Sequence, residues 1–346
     1  MSKTLQDYAI LINDTIQSNE INHYITTDNM CQNLGGIDTF KNINIPQGKV
    51  RSFQKDDILL SNIRLYFRKV YRAKQKGGCS SDVLVFRAKH IDSATLFAIL
   101  SSQIFTDYAC SGSQGSKMPR GNKTHMMNFK IPTINFTIAK IFNSIQNKIE
   151  NNHKINELLH TLAYKIYEYY FKYKPKNAKL EQIIIENPKS NIMVKNAQKT
   201  QDKYPFFTSG DNILSYPKAI IDGRNCFLNT GGNAGIKFYV GKASYSTDTW
   251  CICANEFSDY LYLLLSSIKN HINQSFFQGT SLKHLQKNLL KKYPIYMPSV
   301  HEIKKFNQIM MPLLTLISIN TRTSKKLEQI RDFLLPLLLK QQVKPQ

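Results

Sequence analysis

The chain has 346 residues, 42% hydrophobic and 11% aromatic, enough apolar material for two ordinary cores and too much for a disordered chain. Lys and Arg number 46 against 24 Asp and Glu, giving a formal charge of +22 and a pI near 9.6, so the surface attracts polyanions, nucleic acid ahead of acidic lipid. No apolar run approaches the roughly 20 residues that span a bilayer, Met1 opens no basic-then-apolar secretory leader, and six cysteines without a C-x-x-C pair, with scattered histidines, indicate neither zinc nor a disulfide framework. The expectation is a cytoplasmic protein with reduced thiols and no membrane partner.

Residues 1–132 read as a mixed α/β unit of short apolar runs between Gly, Asn and Asp breaks. DDILLSNIRLYFRKVYRA (56–73) predicts two strands, or a strand with a bulge, carrying Arg64, Arg68, Lys69 and Arg72. SDVLVFRA (81–88) predicts a buried strand, and TLFAILSSQIFTDYA (95–109) has helical spacing at Leu96, Ile99, Leu100, Ile104 and Tyr108. SGSQGSKMPRGNKT (111–124) is too polar for core. By itself it reads as a solvated connection, but its Arg, Lys, Gln and Ser groups on a basic chain favour contact with DNA.

Residues 138–171 form the strongest local signal, an apolar seam through Ile138, Ile141 or Phe142, Ile145, Ile149, Ile155, Leu159, Leu162 or Ala163, Ile166 and Tyr170 with the spacing of a heptad seam. KYKPKNAK (172–179) breaks it, and a second mixed unit follows over 175–298. There, strands are expected at 226–228, 237–240 and 250–253. Thr230, Gly231, Gly232, Asn233, Ala234 and Gly235 match neither a G-x-G-x-x-G fingerprint nor a P-loop; a hairpin turn is the first reading and a phosphate-binding backbone the second. The chain closes on another seam, through Ile303, Phe306, Leu313, Leu327, Ile330 and Leu334, in which Pro312 is expected to bend the helix or remove one hydrogen bond.

The two halves repeat. Ser81-Asp82 matches Thr247-Asp248 at a separation of 166 residues (248 minus 82), Leu100-Ser101-Ser102 matches Leu265-Ser266-Ser267, Gln114-Gly115-Ser116 matches Gln278-Gly279-Thr280, and Pro132 matches Pro298. The shared order is strand, helix, Gln-Gly loop, Pro, long helix, which argues for duplication. The boundaries read as 1–132, 133–174 for the central helix, 175–298, and 299–346 for the C-terminal helix. Asn152 and Asn320 interrupt the two seams at corresponding places. They are expected either to meet as a buried pair that fixes the register of an antiparallel coiled coil, or to face water.

These residues resemble the DNA specificity subunits of type I restriction-modification systems. The resemblance spans nearly the whole chain and is carried by YITTDNM (24–30), the 56–70 segment with SSDVLVF, SGSQGSKMPRGNK leading to KIP, DGRNCFLNTGGNAG with Ser246-Thr247-Asp248, and both long helices. It implies an α/β (α+β) fold of two similar target recognition domains, joined by two long antiparallel helices in a coiled coil with an internal pseudo-two-fold repeat. It further implies a non-catalytic subunit that recognises a bipartite double-stranded DNA target, holds two methyltransferase subunits and admits restriction subunits. Cofactors are implied only for those partners: S-adenosylmethionine, ATP and Mg.

A helix of 138–171 is about 50 Å long at roughly 1.5 Å per residue, long enough to hold two readers about one turn of DNA apart. For DNA contact the residues favoured are Arg64, Lys69, Gln114, Ser116, Lys117, Arg120 and Lys123 in the first unit, and Asn233, Lys237, Lys242, Gln278, Thr280 and Lys283 in the second, since Arg suits guanine, Asn and Gln suit adenine, and Lys neutralises phosphate. Met118, Phe277 and Trp250 read as packing residues. Alternatives are a coiled-coil nucleic-acid-binding adaptor, a cryptic nuclease or methyltransferase component, and the specificity subunit of a methyltransferase-only or fused restriction system.

Overall fold

The computed structural model describes residues 3–38, 43–131, 133–197, 203–210 and 213–339; Pro132, half of one repeat match, lies outside them. The chain divides into two compact units, one made of residues 1–151 and 326–346, the other of 152–325. Both long helices therefore contribute to both units. The first runs Phe136–Tyr167 and ends in a π-helical turn at Glu168–Lys172; the second runs Val300–Leu338 without a break at Pro312 or Pro336.

In the first unit, four antiparallel strands lie in the order Ala9–Ile12, Val83–Ala88, Ile58–Ser61, Val70–Arg72. Two strands do emerge from 56–73, separated by a 3-10 turn at Leu65–Phe67 rather than a bulge, because Arg64 and Arg68 both take left-handed backbone angles. The single helix expected over 95–109 is two, Ser93–Leu100 and Gln103–Ser111. Ser102 explains the break: its Oγ donates to the Ile99 carbonyl and accepts the Phe105 N–H, ending one helix and capping the next. A side sheet follows the order Thr15–Gln17, Lys49–Phe53, Gly77–Cys79, Tyr24–Ile25.

The second unit repeats this plan. Its antiparallel sheet runs Ile185–Glu186, Thr249–Cys253, Arg224–Asn229, Ile236–Val240, and its helices Ser258–Ser267 and Lys269–Ser275 follow the strand Thr249–Cys253 as the first unit's pair follows Val83–Ala88. The glycine-rich 230–235 stretch is the hairpin turn between Arg224–Asn229 and Ile236–Val240, as expected. The repeat seen in the residues is thus a repeat of elements and of strand order.

Each core is closed by both long helices. In the first unit Ala139, Phe142, Leu335 and Leu338 pack with strand residues such as Ile58 and Phe86; in the second Tyr167, Phe171, Phe306 and Met310 pack around Tyr260 and Leu290. Trp250, 3% exposed, sits in that second core as expected, its indole N–H donating to Glu186 Oε2 at 2.8 Å. Within the described residues the six cysteines are free thiols, and no helix is long and apolar enough to cross a membrane.

The helix-register expectation needs correction. Asn152 and Asn320 are not bonded to each other; they lie one helical turn apart in the antiparallel pairing. Asn152, 1% exposed, donates to Ser324 Oγ at 3.1 Å, while Asn320 donates to Asn156 Oδ1 at 3.0 Å. The polar layer has two rungs because antiparallel helices pair residues whose numbers sum to a constant, and 152 plus 324 equals 156 plus 320. Neither asparagine simply faces water.

Candidate nucleic-acid interface

In each unit the Gln-Gly loop is held by the same backbone contacts. In the first, Gln114 and Arg120 exchange both N–H···O bonds at 2.9 and 2.8 Å, Gly121 N donates to the Asn62 carbonyl at 3.1 Å, Arg64 N to the Pro119 carbonyl at 2.9 Å, and Asn62 N to the Asp82 carbonyl at 2.8 Å. In the second, Gln278 pairs with His284 in a short ladder, Leu285 N donates to the Thr230 carbonyl at 3.0 Å, Gly232 N to the Lys283 carbonyl at 2.9 Å, and Thr230 N to the Asp248 carbonyl at 3.2 Å. Loops 114–120 and 278–284 are therefore equal in length, register and anchorage. Gly279 can only be glycine: its φ is +141° and an added Cβ would meet the Leu282 carbonyl oxygen at 2.4 Å.

The side chains of these loops point outward. Gln114, Ser116, Lys117, Arg120 and Lys123 are exposed, as are Asn233, Lys242, Gln278, Thr280 and Lys283. Arg120 forms an ion pair with Asp82 at 3.0 Å while keeping 62% of its side chain exposed, which holds the guanidinium in place without hiding it. Asp248, the matching acid of the second unit, is instead engaged by the Ser246 hydroxyl, and His284 occupies Arg120's register. The hairpin turn joins the site through a bridge between Gly231 and His284, bringing Asn233's turn to the loop.

Other expected residues are placed differently. Lys237 is half-buried, with Nζ donating to the carbonyls of Thr208 at 2.8 Å and Gly210 at 2.7 Å, so it ties down its own unit. Lys69 likewise donates to the Thr27 carbonyl. Arg64 supports the loop from beneath, with one guanidinium N–H on the Lys117 carbonyl at 3.3 Å and the group over the Phe67 ring. Lys242 is exposed but lies beyond the far end of the strand Ile236–Val240 from Asn233. Phe277 is 4% exposed and packs, as expected, whereas Met118 is 53% exposed.

His284, Asn62 and the carbonyls of Asp82 and Asp248 were not among the expected site residues. The signal for the acids was present, because Ser81-Asp82 and Thr247-Asp248 stood out as repeat matches; their role as loop anchors is a long-range hydrogen bond that no local pattern encodes. The described residues contain no group of three or more His, Cys, Asp or Glu side chains able to hold a metal.

The architecture is that of a duplicated α/β protein: two similar units, each presenting a polar loop, with both long helices contributing to each unit. Residues 176–329 match the model of the type I restriction modification DNA specificity domain. Among solved structures, the type I restriction-modification system S subunit from M. genitalium is similar over 99% of this chain and 96% of its own, at 14% identity and a TM-score of 0.65. The HsdS subunit from Thermoanaerobacter tengcongensis aligns over 98% of this chain and 96% of its own, at 12% identity and a TM-score of 0.37. No curated protein sequence matches the chain.

Proposed function

We propose that the chain is the specificity subunit of a type I restriction-modification complex, and that each unit reads one half of a split double-stranded DNA target. The observation that carries this reading is the loop pair 114–120 and 278–284, equal in backbone anchorage and different in side chains. Lys117, Pro119 and Arg120 correspond to Ser281, Lys283 and His284. A rigid frame with exchanged hydrogen-bonding groups is what reading two unlike half-sites requires, because donor and acceptor patterns at base edges set sequence preference while phosphate contacts set only position. The charge of +22 supplies the second, sequence-independent part.

In this reading the chain is cytoplasmic and performs no chemistry. Two methyltransferase subunits and the restriction subunits hold S-adenosylmethionine, ATP and Mg. Support for docking on the helices comes from the second unit, where Ile155, Leu158 and Leu162 recur on one face and are 41, 58 and 48% exposed. The test is a genome-wide map of methylated adenines in cells with and without the chain. The reading expects a two-part motif, two short specified blocks around an unspecified spacer, that disappears with the chain; an unchanged map overturns it.

A further inference from the structure

Comparing the two loops position by position separates what diverged from what was kept. Three features persist: a glutamine (Gln114, Gln278) followed by glycine, a hydroxyl (Ser116, Thr280), and an apolar side chain (Met118, Leu282). A single exposed apolar residue is ordinary on any surface. Two at the same register of equivalent loops, 53 and 58% exposed among polar and basic neighbours, are a retained feature, and the change from Met to Leu shows that apolar character rather than shape is retained. Neither side chain belongs to a core cluster, so packing does not account for it.

The paired chemistry has a single counterpart in duplex DNA. A glutamine amide bonds both N6 and N7 of adenine in the major groove, and the thymine opposite offers the one apolar group there, its C5-methyl. A β-ribbon fits that groove, and residues 114–120 and 278–284 are narrow ribbons closed by mutual backbone bonds. We propose that each loop reads an A·T pair in the major groove, Gln114 or Gln278 on the adenine and Met118 or Leu282 against the thymine methyl. The diverged positions, Lys117 with Ser281 and Arg120 with His284, then distinguish the neighbouring bases of the two half-sites. This inference rests on the reading of the chain as a bipartite DNA reader.

The experiment is selection of a randomised duplex pool by the full-length chain, followed by replacement of each thymine of the enriched duplex with deoxyuridine, which removes only the methyl. One thymine in each half is expected to be sensitive, with binding weakened about three- to five-fold, the worth of one buried methyl group. Met118→Ala should abolish the sensitivity in one half and leave the other intact; Leu282→Ala should do the reverse, so the sensitivity each variant retains shows that its own chain is folded. Enrichment of a split target in which no thymine responds to deoxyuridine, or in which both variants keep both sensitivities, overturns the A·T assignment alone. Failure to enrich any sequence overturns the bipartite reading and this inference with it.

Discussion

Arg120 and Lys237 look alike in a basic sequence and have separate fates. Arg120 is presented, steered by Asp82, while Lys237 is consumed by the carbonyls of Thr208 and Gly210. Lys237→Met should therefore lower stability by about 1–3 kcal/mol, the cost of leaving the carbonyl of buried Thr208 unpaired, and leave the selected DNA sequence unchanged; chemical denaturation and pool selection measure the two separately. His160 carries a pH dependence. Burial holds its pKa below the ordinary imidazole value, and Tyr262, whose phenol burial pushes up to about 12, shares a hydrogen bond with its Nδ1 at 3.3 Å. The native state resists the proton that the unfolded chain accepts near pH 6.5, so the stabilisation is present above that value and lost as pH falls below it toward the lowered native pKa. Melting temperatures from pH 8 to 5 should fall more steeply for the native chain than for His160→Gln.

At the scale of elements, the apolar seams were legible because heptad spacing is local, and a long helix forms along each of them, Phe136–Tyr167 and Val300–Leu338. Their exact pairing was not legible: a one-turn shift changes partners without changing either seam. The asparagines expected to meet are instead split between Ser324 and Asn156. Asn152→Leu should cost about 1–3 kcal/mol by stranding the buried Ser324 hydroxyl, and the double variant with Ser324→Ala should recover most of it, since removing both partners of a buried polar contact is far milder than removing one. Urea midpoints of the two single variants and the double complete the cycle. The break at Ser101 and Ser102 escaped for the opposite reason: an apolar helical period continued through it, and only the capping bonds of Ser102 reveal the stop.

At the scale of the whole molecule, duplication is what made the architecture readable from residues alone. Four short matches at nearly constant spacing announced two copies, and the strand orders and helix pairs bear that out. The loops were legible as exposed polar loops because Gln, Gly, Ser and Lys accumulate in them, but their common frame was not. That frame depends on contacts from Asn62 and Thr230, far from the loops along the chain. The equality of the frame makes the central claim, one half-site per loop, open to a direct measurement. Residues 278–284 can be replaced by the sequence of 114–120 without changing length or register, and the exchanged chain used to select from a randomised duplex pool. The account predicts that the half of the target read by the second unit shifts toward the half read by the first, while the first half stays as it was. A selected target unchanged in both halves would contradict it.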